Sequence, residues 1–276
     1  MRIGHCQLES KCGAFEDNLA KVVAGLERAD RERVEIVCFP ECFLTGYPDT
    51  EELARRDAFA VDSSAMMTVL DRTGPFQATC IVGFNELRGP ELYNTAAVIQ
   101  NGHLLGTYSK CTAYQAFHKQ GREFPIFDRG GVKFGVVICS DGGYIEPTRI
   151  LAAKGAQIVF APHYNYIGQQ GLLSHFVTVR SDHTARAVEN RVFFVRGNNV
   201  VHGRDTGIQG YDGVGYGDSY VVDPHGEILV RSRRHQEDFI LVDLDLSQAN
   251  DSAWGGAGRS KWSFQEFGTL LAEAAG

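Results

Sequence analysis

The chain has 276 residues, 43% of them hydrophobic, and a formal net charge of −7. No basic run is longer than the pair Arg233–Arg234, which argues against a nucleic-acid partner. Nowhere does an apolar run approach the length of about 18 residues that a membrane helix needs, so no membrane partner is expected. The opening stretch MRIGHCQLES has no apolar signal region, and a signal peptide is not expected either.

Seven cysteines are scattered along the chain. An odd number without framework spacing favours reduced thiols, and therefore a cytoplasmic location. Neither C-x-x-C nor H-E-x-x-H occurs, and the nine histidines do not cluster at ligand spacing. The sequence thus gives little support to a metal site, and no cofactor is predicted.

The first part of the chain alternates strand and helix patterns. Residues 2–8 alternate like a strand, residues 15–29 carry apolar side chains at helical spacing, and residues 34–39 form a short apolar run. This β-α-β opening is typical of a sheet covered by helices. Two helices broken near Asp62–Ser63 are predicted within residues 50–72, followed by a strand at 78–84.

Asn101–Gly102 lies between two alternating runs, 92–99 and 104–109. This dipeptide between strands is a strong hairpin signal because both residues tolerate positive φ. Further along the chain, the same patterns predict strands at 132–138, 157–161 and 192–196, and helices at 146–154 and 172–190.

The last part of the chain predicts a hairpin with arms at 220–223 and 226–230, then a strand at 239–242. The glycine-rich loop 207–217 opens no helix, so a dinucleotide-binding interpretation is rejected. The tail from about residue 252 is rich in glycine and then weakly helical. With no composition break or linker, residues 1–276 are interpreted as one domain.

Three residues capable of hydrolytic chemistry each follow a predicted strand. Glu41 follows VEIVCF, Lys110 follows LLGTYS, and Cys139 follows FGVVI. Side chains from distant parts of a chain converge at strand ends in α/β sheets. Each residue alone has an ordinary structural explanation, whereas the three together predict a site.

These residues lie in blocks that resemble the nitrilase superfamily of carbon–nitrogen hydrolases. The blocks occur in the family's order, and the resemblance extends to about residue 245. They are FPECFLTGYP (39–48), LYNTAAVIQNGHLLGTYSK (92–110), FGVVICSDGGYIEPTR (134–149), TARAVENRVFFVRGNN (184–199) and GDSYVVDPHGEIL (217–229).

The resemblance implies an α/β fold of the four-layer α-β-β-α sandwich type and a catalytic triad of Glu41, Lys110 and Cys139. It also implies a homodimer or larger homo-oligomer that pairs through the helix after Cys139 and the helix at 172–190. The tail from about residue 252 has too few apolar residues to fold alone, so it is expected to lie across a neighbouring subunit.

The chemistry of the three side chains agrees with this implication. A free thiol with a pKa near ~8.5 is mostly protonated at neutral pH and needs activation. We expect Lys110 to favour the thiolate and Glu41 to act as general base. Cys139 would attack the carbonyl carbon of a small amide, and water would then hydrolyse the acyl-thioester. Lys110 and the Ser140 N–H would stabilise the oxyanion.

Further site residues are expected around the triad. His163, Tyr164 and Asn165 follow the strand QIVFA and are candidate cavity residues, as are Tyr114 and His118. Cys42 and Cys111 are interpreted as packing residues. Glu146 and Arg149, three apart on one helix, predict a structural ion pair.

The substrate stays open at this level. A nitrile or an N-carbamoyl compound suits the same triad as an amide, and glutamine hydrolysis would require a synthetase on a partner chain. The hypothesis of another class is a catalytically idle binding or scaffold subunit.

One departure from the family pattern gives a separate prediction. Relatives often carry a second glutamate between the lysine and the glycine that precedes the cysteine strand. Here CTAYQAFHKQ (111–120) contains no carboxylate before Gly121. We therefore expect Glu41 to be the only carboxylate within hydrogen-bond reach of Lys110, with Tyr114, His118 or water filling the gap.

Overall fold

Two six-stranded sheets lie face to face in the computed structural model, which describes residues 1–201, 213–249 and 264–275. The first sheet contains, in spatial order, β14 (Asp238–Asp243), β1 (Arg2–Gln7), β2 (Ile36–Cys38), β3 (Thr79–Arg88), β4 (Glu91–Gln100) and β5 (His103–Ser109). The second contains β13 (Ile228–Arg231), β12 (Tyr220–Val222), β10 (Phe193–Gly197), β8 (Ile158–Pro162), β7 (Val132–Val136) and β6 (Phe127–Arg129). A small ribbon pairs β9 (Ile167–Gly168) with β11 (Gly213–Val214).

Helices cover the outer sides of the two sheets. They are α1 (Phe15–Arg31), α2 (Glu51–Asp57), α3 (Ser64–Thr73), α4 (Ile145–Ala153) and α5 (Leu172–Asn190), with α6 (Phe264–Ala274) near the end of the chain. Short 3₁₀ turns occur at Cys139–Gly143, Gln169–Gly171 and Leu246–Gln248. None of the helices in the described ranges is both long and apolar enough to cross a membrane.

The central strands are buried on both faces, and this produces the layers. Ile36 and Cys38 of β2 point into the core between the sheets, whereas Val37 packs with the helices outside. In β8, Ile158 and Phe160 enter the central core, while its alternate residues pack under α4 and α5. Because side chains alternate along a strand, each such strand serves two cores. The predicted α-β-β-α sandwich is therefore confirmed.

Each sheet has three adjacent parallel strands flanked by antiparallel ones. In the first sheet β1, β2 and β3 are parallel, and in the second β7, β8 and β10 are parallel. Parallel strands end at the same edge of a sheet, so the residues after β2, β7 and β8 can meet at one site.

Helix α1 shows how its sequence determines its position. Leu19, Val22 and Leu26 recur at helical spacing and are fully buried against the first sheet. Gly25 lies on the same face, where an added Cβ would come within 2.8 Å of the Phe39 ring. A larger side chain at this position would push the helix away from the sheet.

The two β-hairpins that enter the site region differ in how well the sequence predicts them. Asn101 and Gly102 adopt φ values of 49° and 72°, as expected for a type I′ turn between β4 and β5. The hairpin of β6 and β7 turns at Gly130–Gly131 in the same way, at 63° and 86°. Sequence analysis missed β6 and extended the following strand beyond Val136.

Two segments for which the sequence gives a prediction lie largely beyond what the structure describes. Most of the glycine-rich loop 207–217 and the tail at 250–263 lie outside the described residues. The weakly helical end of the chain is helix α6.

Candidate active site

Glu41 and Lys110 form an ion pair in the interior. The Lys110 ammonium donates to Glu41 Oε1 at 2.6 Å, and each residue is only 1% exposed. Asn94 aligns the pair, since its Nδ2 donates to the same oxygen at 2.7 Å and its carbonyl accepts the Lys110 N–H at 2.8 Å. The backbone N–H of Tyr164 donates to Glu41 Oε2 at 2.8 Å. The loops after β2, β5 and β8 thus meet on one carboxylate.

The ion pair keeps the Lys110 side chain positively charged. Burial alone would lower the pKa of Lys110, but the Glu41 carboxylate beside it outweighs this effect and raises the pKa. Lys110 is therefore a permanent cation at neutral pH, and its charge is offset by Glu41.

Cys139 lies at the start of a tight turn after β7. Its φ of 48° is in the left-handed region, which costs a non-glycine residue about 1–2 kcal/mol. Asp141 holds the turn from inside, fully buried. The Asp141 carboxylate accepts hydrogen bonds from the Ile138 N–H, Tyr108 hydroxyl, Cys111 thiol and Thr112 N–H and hydroxyl. These contacts stabilise the strained backbone at Cys139.

The thiol of Cys139 is half-buried and protonated at rest. Burial and the neighbouring Glu41 carboxylate raise its pKa to about 12, whereas the charge of Lys110 and the Tyr164 N–H act in the opposite direction more weakly. Lys110 thus favours the thiolate, as expected, but burial and the Glu41 carboxylate outweigh its effect. The thiol instead lies beside a carboxylate able to take its proton.

Asn165 adds a polar contact to the sulfur. Its Nδ2 donates to Cys139 Sγ at 3.7 Å. The orientation of the Asn165 amide is set by Arg196, which is fully buried and donates to Asn165 Oδ1 at 2.6 Å. Because arginine only donates, the amide oxygen must face Arg196, and the NH₂ group must face the sulfur. Arg196 is a positioning residue that sequence analysis did not identify.

A cavity of about 690 Å³ opens onto the thiol and Lys110. This volume is within the usual range for small-molecule sites. The expected site residues Ser140, Tyr114, His163, Tyr164 and Asn165 all lie in its wall, together with Cys139 and Lys110. His118 is the exception among the predicted residues. It is buried away from the cavity wall, where its Nε2 lies 2.9 Å from Asn85 Oδ1.

The remaining candidates have contacts that limit their roles. The Ser140 hydroxyl donates to the Thr112 carbonyl at 2.8 Å, which leaves its backbone N–H as the group of interest. Tyr114 is 78% exposed and lies at the rim of the cavity.

Cys111 is more than a packing residue, since its thiol donates a hydrogen bond to Asp141. Arg149 forms its ion pair with Glu189 instead, with Nη2 3.9 Å from Glu189 Oε2. The predicted ion pair between Arg149 and Glu146 is therefore wrong.

As predicted, the described residues place no second carboxylate near the Lys110 ammonium. Within residues 1–201, 213–249 and 264–275, Glu41 is the only carboxylate within 4.0 Å of the Lys110 ammonium. Gly121 closes the short loop 111–120 by donating its N–H to the Lys110 carbonyl at 2.8 Å. An added Cβ on Gly121 would lie 2.0 Å from the Ser109 carbonyl oxygen, so only glycine fits.

Sequence analysis missed two parts of the cavity wall. Tyr47, in the motif GYP, stacks on Tyr164 with ring centroids 4.6 Å apart and planes 7° apart. A stripe on α5 also lines the cavity, at the spacing of one helical face: His175, Thr178, Val179, Asp182 and His183. The signal available in the sequence was the recurrence of these mostly polar residues on one face of α5.

Several histidines near the site are held neutral by burial. Burial lowers the pKa of His118, with a smaller contribution from Lys110, to about 4. Burial lowers the pKa of His5 to about 4 as well, and those of His163 and His183 fall well below the usual value. The folded protein therefore binds fewer protons than the unfolded chain between these values and about pH 6.5.

We expect the free energy of unfolding to be fully maintained above about pH 6.5 and to fall as the pH drops toward 4. Asp49, whose pKa burial raises to about 6, and Asp182, whose pKa burial also raises, act in the opposite direction but are outnumbered by the buried histidines. His118→Gln should remove roughly 2 kcal/mol of the loss between about pH 7 and 5. Urea unfolding across this range measures it, with His103→Gln on the exposed edge as control. Identical pH profiles for wild type and His118→Gln would contradict this.

Among the residues that the structure describes, no three His, Cys, Asp or Glu side chains are grouped so as to hold a metal ion.

Comparison with known proteins connects this geometry to a family. A sequence profile of carbon–nitrogen hydrolases matches residues 2–253. The chain is 28% identical over 261 residues to a glutamine-dependent NAD(+) synthetase of Thermotoga maritima, covering 90% of this chain but 42% of that protein. It is 26% identical over 255 residues to a nitrilase of Pyrococcus abyssi, covering 89% and 90% of the two chains.

The chain thus spans less than half the length of the synthetases that it matches. A solved amidase from Nesterenkonia sp. has the same fold, with a TM-score of 0.70 at 24% identity over 88% of this chain and 90% of that one. Because the profile covers most of the chain, the protein belongs to the carbon–nitrogen hydrolase family, within the nitrilase superfamily.

Proposed function

We propose that this protein hydrolyses the C–N bond of a small amide through an acyl-thioester on Cys139. The observation that carries the proposal is the buried Glu41–Lys110 pair beside the Cys139 thiol, at the base of a cavity of about 690 Å³. A thiol, a base and a fixed cation within one cavity are the parts that nucleophilic acyl transfer requires.

Attack on the amide begins with the protonated thiol. Glu41 takes the thiol proton as the sulfur forms a bond to the carbonyl carbon. Its Oε2 is suited to this role, since Oε1 already accepts from both Lys110 and Asn94. Moving the proton onto Glu41 as the thiol reacts avoids a buried thiolate in the resting enzyme.

The negative charge on the former carbonyl oxygen is then stabilised by fixed donors. The Lys110 ammonium and the Ser140 N–H supply hydrogen bonds, and one such donor is commonly worth about 3 kcal/mol in the transition state. As Glu41 loses its charge to the thiol proton, the Lys110 charge becomes available to the oxyanion. Proton transfer and oxyanion stabilisation are thereby coupled.

Release and hydrolysis complete the cycle. The tetrahedral intermediate collapses, the C–N bond breaks, and Glu41 returns the proton to nitrogen so that ammonia leaves. Water then gives a proton to Glu41 and attacks the thioester carbon. The carboxylic acid leaves, the sulfur regains its proton, and the thiol and carboxylate are restored. No cofactor takes part in these steps.

Alternatives within the same chemistry concern the group attacked. A nitrile or an N-carbamoyl compound would react at the same thiol, and the nitrilase relative supports the first of these. Glutamine hydrolysis would need a synthetase on a partner chain, since the chain matches less than half of the NAD(+) synthetase relatives. A catalytically idle binding or scaffold subunit is the alternative of another class.

Ammonia release distinguishes these possibilities. The purified protein would be assayed against simple amides, N-carbamoyl amines, nitriles and glutamine, with Cys139→Ala as the background. The proposal predicts that simple amides give the highest kcat/KM. Exclusive release from glutamine, or no release from any compound, would contradict it, and the latter would favour the idle subunit.

We also propose a homodimer that forms through the outer surfaces of α4 and α5. Four large apolar side chains are exposed there: Tyr144, Ile145, Leu173 and Val177. Leu173, 76% exposed, and Val177 lie one turn apart on α5. Leaving such a group in water is unfavourable, so a second copy is expected to cover it.

Light scattering at micromolar concentration should give the mass of a dimer or a multiple of it. Leu173→Asp, which places a charge in the covered surface, should shift the mass toward that of a monomer. The matched control is Met67→Asp on α3, an apolar residue 61% exposed on the opposite side of the sandwich. A monomeric wild type, or an unchanged mass for Leu173→Asp, would overturn this proposal.

A further inference from the structure

The cavity wall carries an uneven set of charges. Its charged residues within the described part of the chain are Asp49, Lys110 and Asp182. Lys110 is neutralised by Glu41. Neither Asp49 nor Asp182 forms an ion pair or a side-chain hydrogen bond with any described residue. The two carboxylates are thus uncompensated, while the single cation is matched.

The histidines of the wall do not restore the balance. Burial lowers the pKa of His175, with a smaller effect from Arg196, to about 4. Burial lowers those of His163 and His183 well below the usual value. All three are neutral at pH 7, so the described wall carries an excess negative charge.

Of the two carboxylates, Asp49 has the oxygen atom that lacks a described hydrogen-bond partner although it is buried. Its Oδ2 is shielded from solvent and has no hydrogen-bond partner among the described residues. A buried polar atom without a partner costs free energy, and native structures usually supply one. Asp49 lines the same cavity as the stacked rings of Tyr47 and Tyr164, and aromatic faces attract cations.

Asp182 reaches the cavity from α5, beside the turn that holds Cys139. Its Oδ2 would lie 3.6 Å from a Cβ added to Gly143. Arg186, one helical turn further, directs its hydrogen bonds elsewhere: to the carbonyls of Tyr144 and Gly143 and to Glu189. Burial raises the pKa of Asp182 more than Arg186 lowers it, and no ion pair or hydrogen bond joins the side chains of these two described residues.

We propose that the substrate is a small primary amide whose acyl chain carries a protonated amine, with the amine held by Asp49 and attracted by Asp182. This inference rests on the amidase proposal and adds the charge of the substrate to it. A cation would supply the missing donor to Asp49 and offset the negative wall. An acyl chain ending in a carboxylate would meet like charges and be repelled.

Binding to Cys139→Ala tests the charge without requiring turnover. Three ω-amino amides would be used, because the chain length is not specified: γ-aminobutyramide, δ-aminovaleramide and ε-aminocaproamide. Each has a neutral counterpart, with methyl in place of ammonium (valeramide, hexanamide and heptanamide), and an anionic one (glutaramate, adipamate and pimelamate). Calorimetry should show at least one amino amide binding about tenfold or more tighter than its methyl counterpart, with the anion weakest.

Substitutions in the Cys139→Ala background identify the carboxylates. Asp49→Asn should reduce the preference for cation over methyl by about tenfold, and Asp182→Asn by a smaller factor. Asp71→Asn, which removes the same charge from the exposed side of α3, should leave the preference unchanged. Equal or tighter binding of the neutral or anionic amides, no binding by any amino amide, or an unchanged preference in Asp49→Asn would overturn the inference.

Ammonia release by the wild type separates this inference from the amidase proposal. If the amino amides bind Cys139→Ala selectively but the wild type releases no ammonia from any amide, the charge inference stands as a binding preference and the amidase proposal fails. If amides are hydrolysed without regard to charge, the amidase proposal stands and the charge inference fails.

Discussion

Replacing Cys139 by alanine is expected to abolish turnover while leaving the fold intact. The change removes the only atom proposed to bond with the substrate, so kcat should fall by roughly four orders of magnitude or more. Alanine and cysteine have similar costs at the φ of 48°, and the contacts of Asp141 that stabilise the turn remain. Circular dichroism and the urea midpoint should therefore match those of wild type.

The matched control is Cys12→Ser. Cys12 is a half-buried thiol outside the cavity wall whose Sγ donates to the Tyr47 carbonyl, a bond that serine can also make. This variant should keep near-normal kcat/KM in the ammonia assay. Turnover that survives in Cys139→Ala, or is lost only in Cys12→Ser, would remove Cys139 from the proposed mechanism.

Neutralising either member of the Glu41–Lys110 pair should cost both activity and stability. Glu41→Gln leaves a buried ammonium without its counterion, and Lys110→Met leaves a buried carboxylate. Breaking one side of a buried pair typically costs about 3–5 kcal/mol. Each variant should also lose about a thousandfold or more in kcat, because proton transfer and oxyanion stabilisation depend on the pair.

The double variant separates the two effects. Glu41→Gln with Lys110→Met leaves no unpaired charge, so its free energy of unfolding should recover most of what either single variant loses. Its kcat should stay as low as that of the single variants. Denaturant unfolding and the ammonia assay measure the two quantities side by side. Near-normal turnover in Lys110→Met would show that the pair is purely structural.

The layers of the fold could be read from local patterns. Strand β2 alternates between two cores, and the apolar run that predicted it reflects burial on both faces. The turn at Asn101–Gly102 follows from backbone sterics alone. The Gly130–Gly131 turn carried a similar signal, but β6 has only three residues, too few for alternation to be recognised.

The site was predictable where a single residue type carries the chemistry. Glu41, Lys110 and Cys139 could be selected because each has a reactive group at the end of a strand. Arg196 and Asp49 could not, because their roles depend on their surroundings. Arg196 acts through the orientation of Asn165, and Asp49 is informative only because no cation among the described residues pairs with it.

The charge state of Cys139 was beyond sequence reasoning for the same reason. A lysine near a thiol suggests a thiolate when the lysine charge is free. Here burial and the Glu41 carboxylate, which pairs with Lys110 at 2.6 Å, raise the pKa of the thiol more than Lys110 lowers it, and the thiol keeps its proton. Side-chain pairing, rather than the presence of the residues, decides the result, as it also does for Arg149 and Glu189.

Covalent trapping tests the central claim most directly. The wild-type protein would be mixed with an amide that it turns over, quenched in acid within the first turnover, and analysed by intact mass and peptide mapping. The account predicts a mass increase equal to the acyl group, located on Cys139 and absent from Cys139→Ala. An acyl group on Cys42 or Cys111 with Cys139 unmodified would contradict it.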